Sequence, residues 1–241
     1  MASYESLAQF YDLLTGDVPY DEFAAFYEKL LDAKERKVLL DLGCGTGTLS
    51  WLLASHGHEM ICVDPSSDML AAAAAKSVDA AAASAPMFIC QSAEELDLFG
   101  TVSGAICSLD AVNYMPPGIL PAVFARLHLF IEPGGVFAFD IHSPEHLMEL
   151  DGETFVDEDK DVLCLWRAEF DKEENALFYG MDIFMREGSH WRRTQEEHIE
   201  YAHDPKELCT LLQEAGFCET NIITDGVQNE MGRLFITARR K

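Results

Sequence analysis

Up to about residue 34, Leu7, Tyr11 and Leu14, then Phe23, Phe26, Tyr27, Leu30 and Leu31, recur at helical spacing. The pattern predicts two short helices broken near Thr15-Gly16-Asp17-Val18-Pro19, with Asp17 or Asp21 as caps. From Lys37 the pattern changes. Val38–Leu42 and Met60–Asp64 are apolar runs of strand length, separated by a helix over about Thr48–His56. Ser66-Ser67-Asp68 caps a helix holding the alanine run 71–75, and a second alanine run, 80–83, also reads as helix. Met87–Cys90, Gly104–Ser108 and Val136–Asp140 are three more strands, with a helix over about Leu120–Leu129 between the last two. Strands spaced by helices are the signature of right-handed βαβ units and a parallel sheet.

Between Asp161 and His203 the alternation stops. Three strand-like runs, Val162–Asp171, Ala176–Glu187 and Trp191–Ala202, are joined by polar turns and read as an antiparallel meander. The third run is polar at most positions, so one face is expected to meet solvent, and its edge needs protection, for instance by a second subunit. The histidines of this region, His190, His198 and His203, are read as surface residues. The block Glu145–Asp161, eight acids against Lys160, reads as a solvated loop. Asp204-Pro205 then starts a helix that ends at Gly216, and Thr220–Thr224 and Leu234–Arg239 close the chain as strands.

Charge narrows the function. The 241 residues carry a net charge of −25, spread along the whole chain. A surface this acidic repels phosphate backbones and anionic membranes and mildly favours cationic ligands. Nucleic acid and membrane are therefore not expected as partners. The cysteines at 44, 62, 90, 107, 164, 209 and 218 form no C-x-x-C pair and sit mostly in apolar runs, as small buried hydrophobes of a reducing compartment do. No basic residue precedes Lys29, so no signal peptide is expected, and no apolar run reaches membrane-spanning length. The expectation is a cytoplasmic protein.

The sharpest signal is V-L-L-D-L-G-C-G-T-G at 38–47, a glycine-rich turn after a buried strand and before a helix. Such a turn lets the backbone approach a ligand without an intervening Cβ. Thr48 stands where a dinucleotide fingerprint has its third glycine, which disfavours a nicotinamide dehydrogenase. Asp64, at the end of the second strand, can accept hydrogen bonds from both hydroxyls of a ribose, or cap the helix that follows Pro65.

D-L-G-C-G-T-G followed by V-D-P-S-S-D-M-L resembles the first two motifs of the class I S-adenosylmethionine-dependent methyltransferases. The resemblance continues at Gln91–Leu96, Leu109–Tyr114 and Glu132–Gly135, and Tyr11–Leu14 with Asp17–Tyr20 looks like the opening of small bacterial methyltransferases of mostly unassigned substrate. It implies S-adenosylmethionine as cofactor, with Gly43, Gly45 and Gly47 beneath it, Asp41 under its methionine part and Asp64 on the ribose. Pro65 and Met69 would flank the adenine, and the Ser92 and Ala93 backbone would read its edge. Ser92 stands where the family often has Asp, so the resemblance does not carry over a carboxylate bond to the adenine amine. Asp110 would lie where the sulfonium meets the substrate, and Tyr11 and Tyr20 either form a lid or pack the N-terminal helices.

With the strand order, the resemblance implies an α/β, Rossmann-like, mostly parallel seven-stranded sheet in order 3-2-1-4-5-7-6 with the last strand antiparallel. One methyltransferase domain spans 1–241, with an N-terminal helical lid at 1–34 and an inserted β meander at 157–203 over the substrate edge. Catalytic candidates near strand ends are Asp110, Tyr114 and His142, each with a packing or solvated alternative. Metal sets of His142, Glu145 and His146, or of Asp110 and Asp140, are set aside because carboxylates at strand ends are routine in this fold. Asn113-Tyr114-Met115-Pro116-Pro117 does not match the Asn-Pro-Pro-Tyr of base and glutamine methyltransferases. The reading is in-line methyl transfer to a small-molecule acceptor. A cofactor-binding module without catalysis and a tRNA methyltransferase using Arg192-Arg193 or Arg239-Arg240-Lys241 remain the alternatives.

Overall fold

The computed structural model describes residues 8, 10–76 and 85–241; Leu7 and the alanine run 80–83 lie outside the described residues. The N-terminal helices are α1 (Tyr11–Leu14) and α2 (Tyr20–Leu30). The residue before α2 is Pro19, with no side-chain cap, so neither Asp17 nor Asp21 caps it; Asp21 lies inside the first turn instead. Then follow β1 (Val38–Leu42), α3 (Thr48–Ser55), β2 (Glu59–Asp64), α4 (Ser67–Ala75), β3 (Met87–Cys90), β4 (Val102–Cys107), α5 (Leu120–Phe130) and β5 (Ile131–His142). Ser66 caps α4, its hydroxyl accepting from the Met69 N–H at 3.2 Å.

The acidic block is not a loop. Ser143 accepts from the His146 N–H at 3.2 Å, and with Pro144 in the first turn and fully buried Leu147 it starts α6 (Pro144–Glu149). Thr154–Asp159 forms an edge strand, β6, whose residues stay mostly exposed, so its carboxylates keep their water while the backbone pairs inward. Three further strands complete this antiparallel sheet: β7 (Val162–Asp171), β8 (Ala176–Glu187) and β9 (His190–Tyr201), in order β6-β7-β8-β9. The chain closes with α7 (Pro205–Glu214), β10 (Phe217–Ile223) and β11 (Arg233–Arg240).

The large sheet runs β3-β2-β1-β4-β5-β11-β10, with β11 antiparallel to β5. Counted over its own strands this is the expected order 3-2-1-4-5-7-6. Period-two alternation divides its apolar side chains between two cores. Leu39, Val136 and Ala138 face α2 and α3, while Leu40, Phe137 and Phe139 face α5 and α7. A third core lies under the meander, where Cys164, Met181 and Ile183 meet Leu147 of α6 and Tyr11 and Leu14 of α1. All seven cysteines are free thiols. Among the described residues no helix is long and apolar enough to cross a membrane.

One charge-bearing residue sits in the central strand. Asp41 is 1% exposed, and of its two oxygens only Oδ2 is hydrogen-bonded, by the Ser50 hydroxyl. Burial pushes its carboxyl up to about 7, with the Ser50 bond opposing and the Asp64 charge adding. A folded-state pKa above the ordinary 3.8 means that the native state holds the proton more tightly. The stability from this group is full at low pH and is lost as pH rises from about 4 through about 7. Asp41→Asn should remove that loss, of the order of 3–5 kcal/mol at ~1.4 kcal/mol per unit. Urea unfolding at stepped pH should show the stability gap between variant and wild type widening between pH ~4 and ~8; a constant gap would show that Asp41 does not titrate there.

Candidate active site

The sheet order reverses at β1, which lies between β2 and β4, and loops leaving a sheet at such a point diverge to leave a crevice. A cavity of about 1030 Å³ fills this position. Its floor is the turn after β1. Gly45 has φ +53, and a Cβ there would meet no atom within 4 Å, so bare backbone faces the cavity. Asp64, at the end of β2, accepts from the Gly45 N–H at 2.9 Å and from the Ser66 N–H at 2.8 Å. Burial raises its pKa on balance, and those two N–H groups oppose the shift.

The N-terminal segment closes one side, placing Tyr11 and Tyr20 in the cavity wall. It is tied down through Asp12, whose Oδ1 accepts from the Thr46 hydroxyl at 2.5 Å and the Thr48 hydroxyl at 2.9 Å. Lys76 Nζ pairs with the other oxygen at 2.7 Å. Burial first, then the charges of Tyr20 and Asp110, raise the Tyr11 pKa, so its hydroxyl remains protonated.

Beyond β4 the backbone is strained: Leu109 and Asp110 both have positive φ, +54 and +55. Fully buried Asp140, on β5, holds them there by accepting from the Leu109 and Asp110 N–H groups, each at 2.9 Å. Tyr27 and Arg233 donate to the same carboxylate. Arg233 also donates to Asp110 at 2.9 Å and lies 3.1 Å from His142 Nε2. His142 Nδ1 is 3.3 Å from Glu200, which accepts from the Tyr114 hydroxyl at 3.4 Å. Burial lowers the His142 pKa, but Asp110 and the Glu200 bond outweigh it and hold the imidazole above its ordinary value. Asp110, His142 and Glu200 bring ligand-type atoms within 4.8 Å of one another, with the Arg233 guanidinium as the positive charge among them.

The opposite wall comes from the meander, with Phe178, Met181, Glu196, Ile199 and Tyr201 in its lining. Asn113 fixes this roof. Its carbonyl accepts from the Tyr201 N–H at 2.7 Å, and its side chain bonds the Tyr201 carbonyl at 2.9 Å and the His142 N–H at 3.0 Å.

Of the residues expected around a cofactor, Tyr11, Tyr20, Gly43, Gly45, Asp64, Pro65, Met69, Ser92 and Ala93 line this one cavity, and Tyr114 lines it with them. Asp41, Gly47, Asp110 and His142 do not. Asp41 lies behind the loop on Ser50. Gly47 is the left-handed residue before α3, with Phe88 and Ala73 against its α-carbon. Asp110 and His142 are turned to Arg233. Asp12, Arg233, Glu196, His198 and Glu200 were not singled out from sequence. His198 and His203 are buried rather than on the surface, because the polar face of β9 that carries His198 turns inward and His203 Nε2 sits 3.0 Å from the Met115 carbonyl. Acids and histidine at alternate positions of a strand, Glu196, His198 and Glu200, were the available signal.

Residues 39–135 match the model of the family described as Methyltransferase domain. Over 245 residues, 98% of this chain and 97% of the relative, the sequence is 29% identical to "Putative methyltransferase YqeM" of Bacillus subtilis (strain 168). An S-adenosylmethionine-dependent methyltransferase of Clostridium acetobutylicum ATCC 824 superposes with a TM-score of 0.81 at 26% identity, covering 98% of both chains. The sugar N-methyltransferase KedS8 of Streptoalloteichus sp. ATCC 53650 shares the fold, with a TM-score of 0.80 at 22% identity over 96% of this chain and 93% of that one. With motifs, sheet order and relatives in agreement, residues 39–135 form a methyltransferase domain, and the chain is an S-adenosylmethionine-dependent methyltransferase with S-adenosylmethionine as its cofactor.

Proposed function

We propose that this enzyme methylates a small molecule, with the cofactor at the glycine-loop end of the cavity and the acceptor at the meander end. The observation that carries the reading is the continuity of the cavity, which reaches from Gly45 and Asp64 to Phe178 and Glu196. Its volume of about 1030 Å³ stands at the upper end for ligand pockets, enough for a nucleoside cofactor and a second small molecule. That one structure sharing the fold is a sugar N-methyltransferase supports a small-molecule acceptor.

The residues present fit the cofactor. Gly45 presents bare backbone with no Cβ in the way, and each Asp64 oxygen keeps acceptor capacity for a ribose hydroxyl beyond its one backbone bond. Pro65 and Met69 flank the adenine, and the Ser92 and Ala93 backbone reads its edge. Gly43 and Gly47 shape the loop, and Asp41 behind it adds negative charge under the methionine ammonium as it ionises above about pH 7. Asp110, held by Arg233, supplies negative charge near the sulfonium. When bound, the cofactor supplies an activated methyl group. The chain's task is then alignment, which supplies ~7–11 kcal/mol in well-oriented reactions. Residues 1–34 serve as the lid and 157–203 as the cover on the acceptor, both within one domain.

Asp64→Ala should weaken S-adenosylhomocysteine binding by roughly 10- to 150-fold, the equivalent of the ~1.5–3 kcal/mol carried by hydrogen bonds to a charged group. Calorimetric titration measures this, and a lowered melting temperature with unchanged affinity would reduce Asp64 to a loop tie. Asp12→Ala releases the lid from Thr46, Thr48 and Lys76, so S-adenosylhomocysteine should dissociate about tenfold faster in stopped-flow experiments, with little change in the melting temperature. An unchanged dissociation rate would argue that residues 1–34 do not gate the cofactor.

A further inference from the structure

We propose that Gly180 decides which acceptor the enzyme takes. It leaves a gap the size of a side chain in the meander wall, and the non-reacting part of the acceptor, a neutral group with both hydrogen-bond donors and acceptors, fills it. This rests on reading the meander end of the cavity as the acceptor end. Gly180 lies in the interior of β8, paired with Arg167 of β7 on one side and Glu197 of β9 on the other. Glycine weakens a strand interior and is found there for a positive φ, for want of room, or for the close approach of a ligand. The other strand glycines show the first two reasons. Gly134 has φ +83, a Cβ at Gly104 would come within 3.1 Å of the Val136 carbonyl, and one at Gly135 within 2.6 Å of the Ile131 side chain. Gly180 shows neither. Its φ is not positive, and a Cβ there would meet no atom of the described residues within 4 Å. Because it lines the cavity, the third reason applies.

The flanks of the gap select what enters it. Arg167 and Glu197, the two cross-strand neighbours of Gly180, both line the cavity. Arg167 Nη1 donates to Asp182 at 2.8 Å, which leaves Nε and Nη2 unbonded among the described residues on a side chain that is 56% exposed. The Glu197 carboxylate has no hydrogen bond or ion pair among the described residues. A guanidinium on one flank and a carboxylate on the other offer donors and acceptors while their charges cancel. A net charge of either sign is attracted by one flank and repelled by the other, whereas a neutral amide or hydroxylated group satisfies both. Phe178, on the same face as Gly180, and Ile199, paired with Phe178, give the gap an apolar end. Contacts to a non-reacting part of the acceptor are equal before and during methyl transfer. They set the affinity for the acceptor and leave the barrier unchanged.

The test uses the full chain, S-adenosylmethionine with an isotope-labelled methyl group, and the low-molecular-weight fraction of a bacterial extract as the source of acceptor. In dilute extract Gly180→Ala should lower the labelling rate about tenfold and Gly180→Val on the order of 10²-fold. Glu197→Ala should lower it about tenfold. Each rate should recover as the extract is concentrated, because only binding is lost. S-adenosylhomocysteine affinity by calorimetry should be unchanged in all three, and the Gly180 variants should melt no lower than wild type, since a strand glycine has been replaced. A Gly180→Val rate equal to wild type, or a lowered rate that no concentration of extract restores, overturns the proposal. So does a Gly180→Ala protein that melts well below wild type, which makes Gly180 a packing glycine. A change of oligomeric state by light scattering in the Gly180 variants assigns the gap to a second copy of the chain and overturns it too. These outcomes leave the methyl-transfer reading intact. A wild-type protein that binds S-adenosylhomocysteine but labels nothing overturns both.

Discussion

The structure turns on the buried carboxylate of Asp140. Two consecutive residues in the left-handed region cost roughly 1–2 kcal/mol each when neither is glycine, and Leu109 and Asp110 adopt it together. They stay because both of their N–H groups converge on one carboxylate, which Tyr27 and Arg233 complete from the opposite side. An isolated buried carboxylate would be untenable; one with four donors, one of them a guanidinium, satisfies the condition for a charge in the core. Its partners come from the turn after β4, from α2 and from β11, so elements far apart in the chain hold the site's central turn.

From that turn the rest of the site follows. Leu109 and Ala111 meet the cavity, Asp110 faces Arg233, and Asn113 lies where it can bond both the end of β5 and the end of β9. The meander is therefore joined to the large sheet through the same short loop that carries the strained pair. A disturbance at Asp140 would displace the floor and the roof of the cavity together.

The two ends of the cavity are built by different means. The end proposed for the cofactor uses backbone, a glycine turn and one carboxylate from the first two strands. The end proposed for the acceptor uses side chains of a separate sheet, whose residues can change without altering the βαβ layers beneath. Specific polar groups then decide the chemistry, as they must in a fold that hosts many acceptors.

Local pattern determined the layers. Apolar runs of strand length, capped helices at Ser66 and Asp204, and the glycine turn after Val38–Leu42 are short-range features from which the βαβ layers and a ligand-binding turn are read, while the strand order and the cofactor came with the resemblance their motifs carry. The helix and edge strand within Glu145–Asp161 were hidden because a charged edge strand and a charged loop have the same composition; pairing with β7 distinguishes them. The meander side of the cavity lay further out of reach. Whether Glu196, His198 and Glu200 meet water or protein depends on which face of β9 turns inward, and a strand polar on both faces does not encode that choice. Arg233 stands 93 residues from Asp140 and 123 from Asp110. Only the closing strand, running antiparallel beside β5, brings its guanidinium between two carboxylates, because long-range charge pairing is set by sheet register and not by any spacing along the chain.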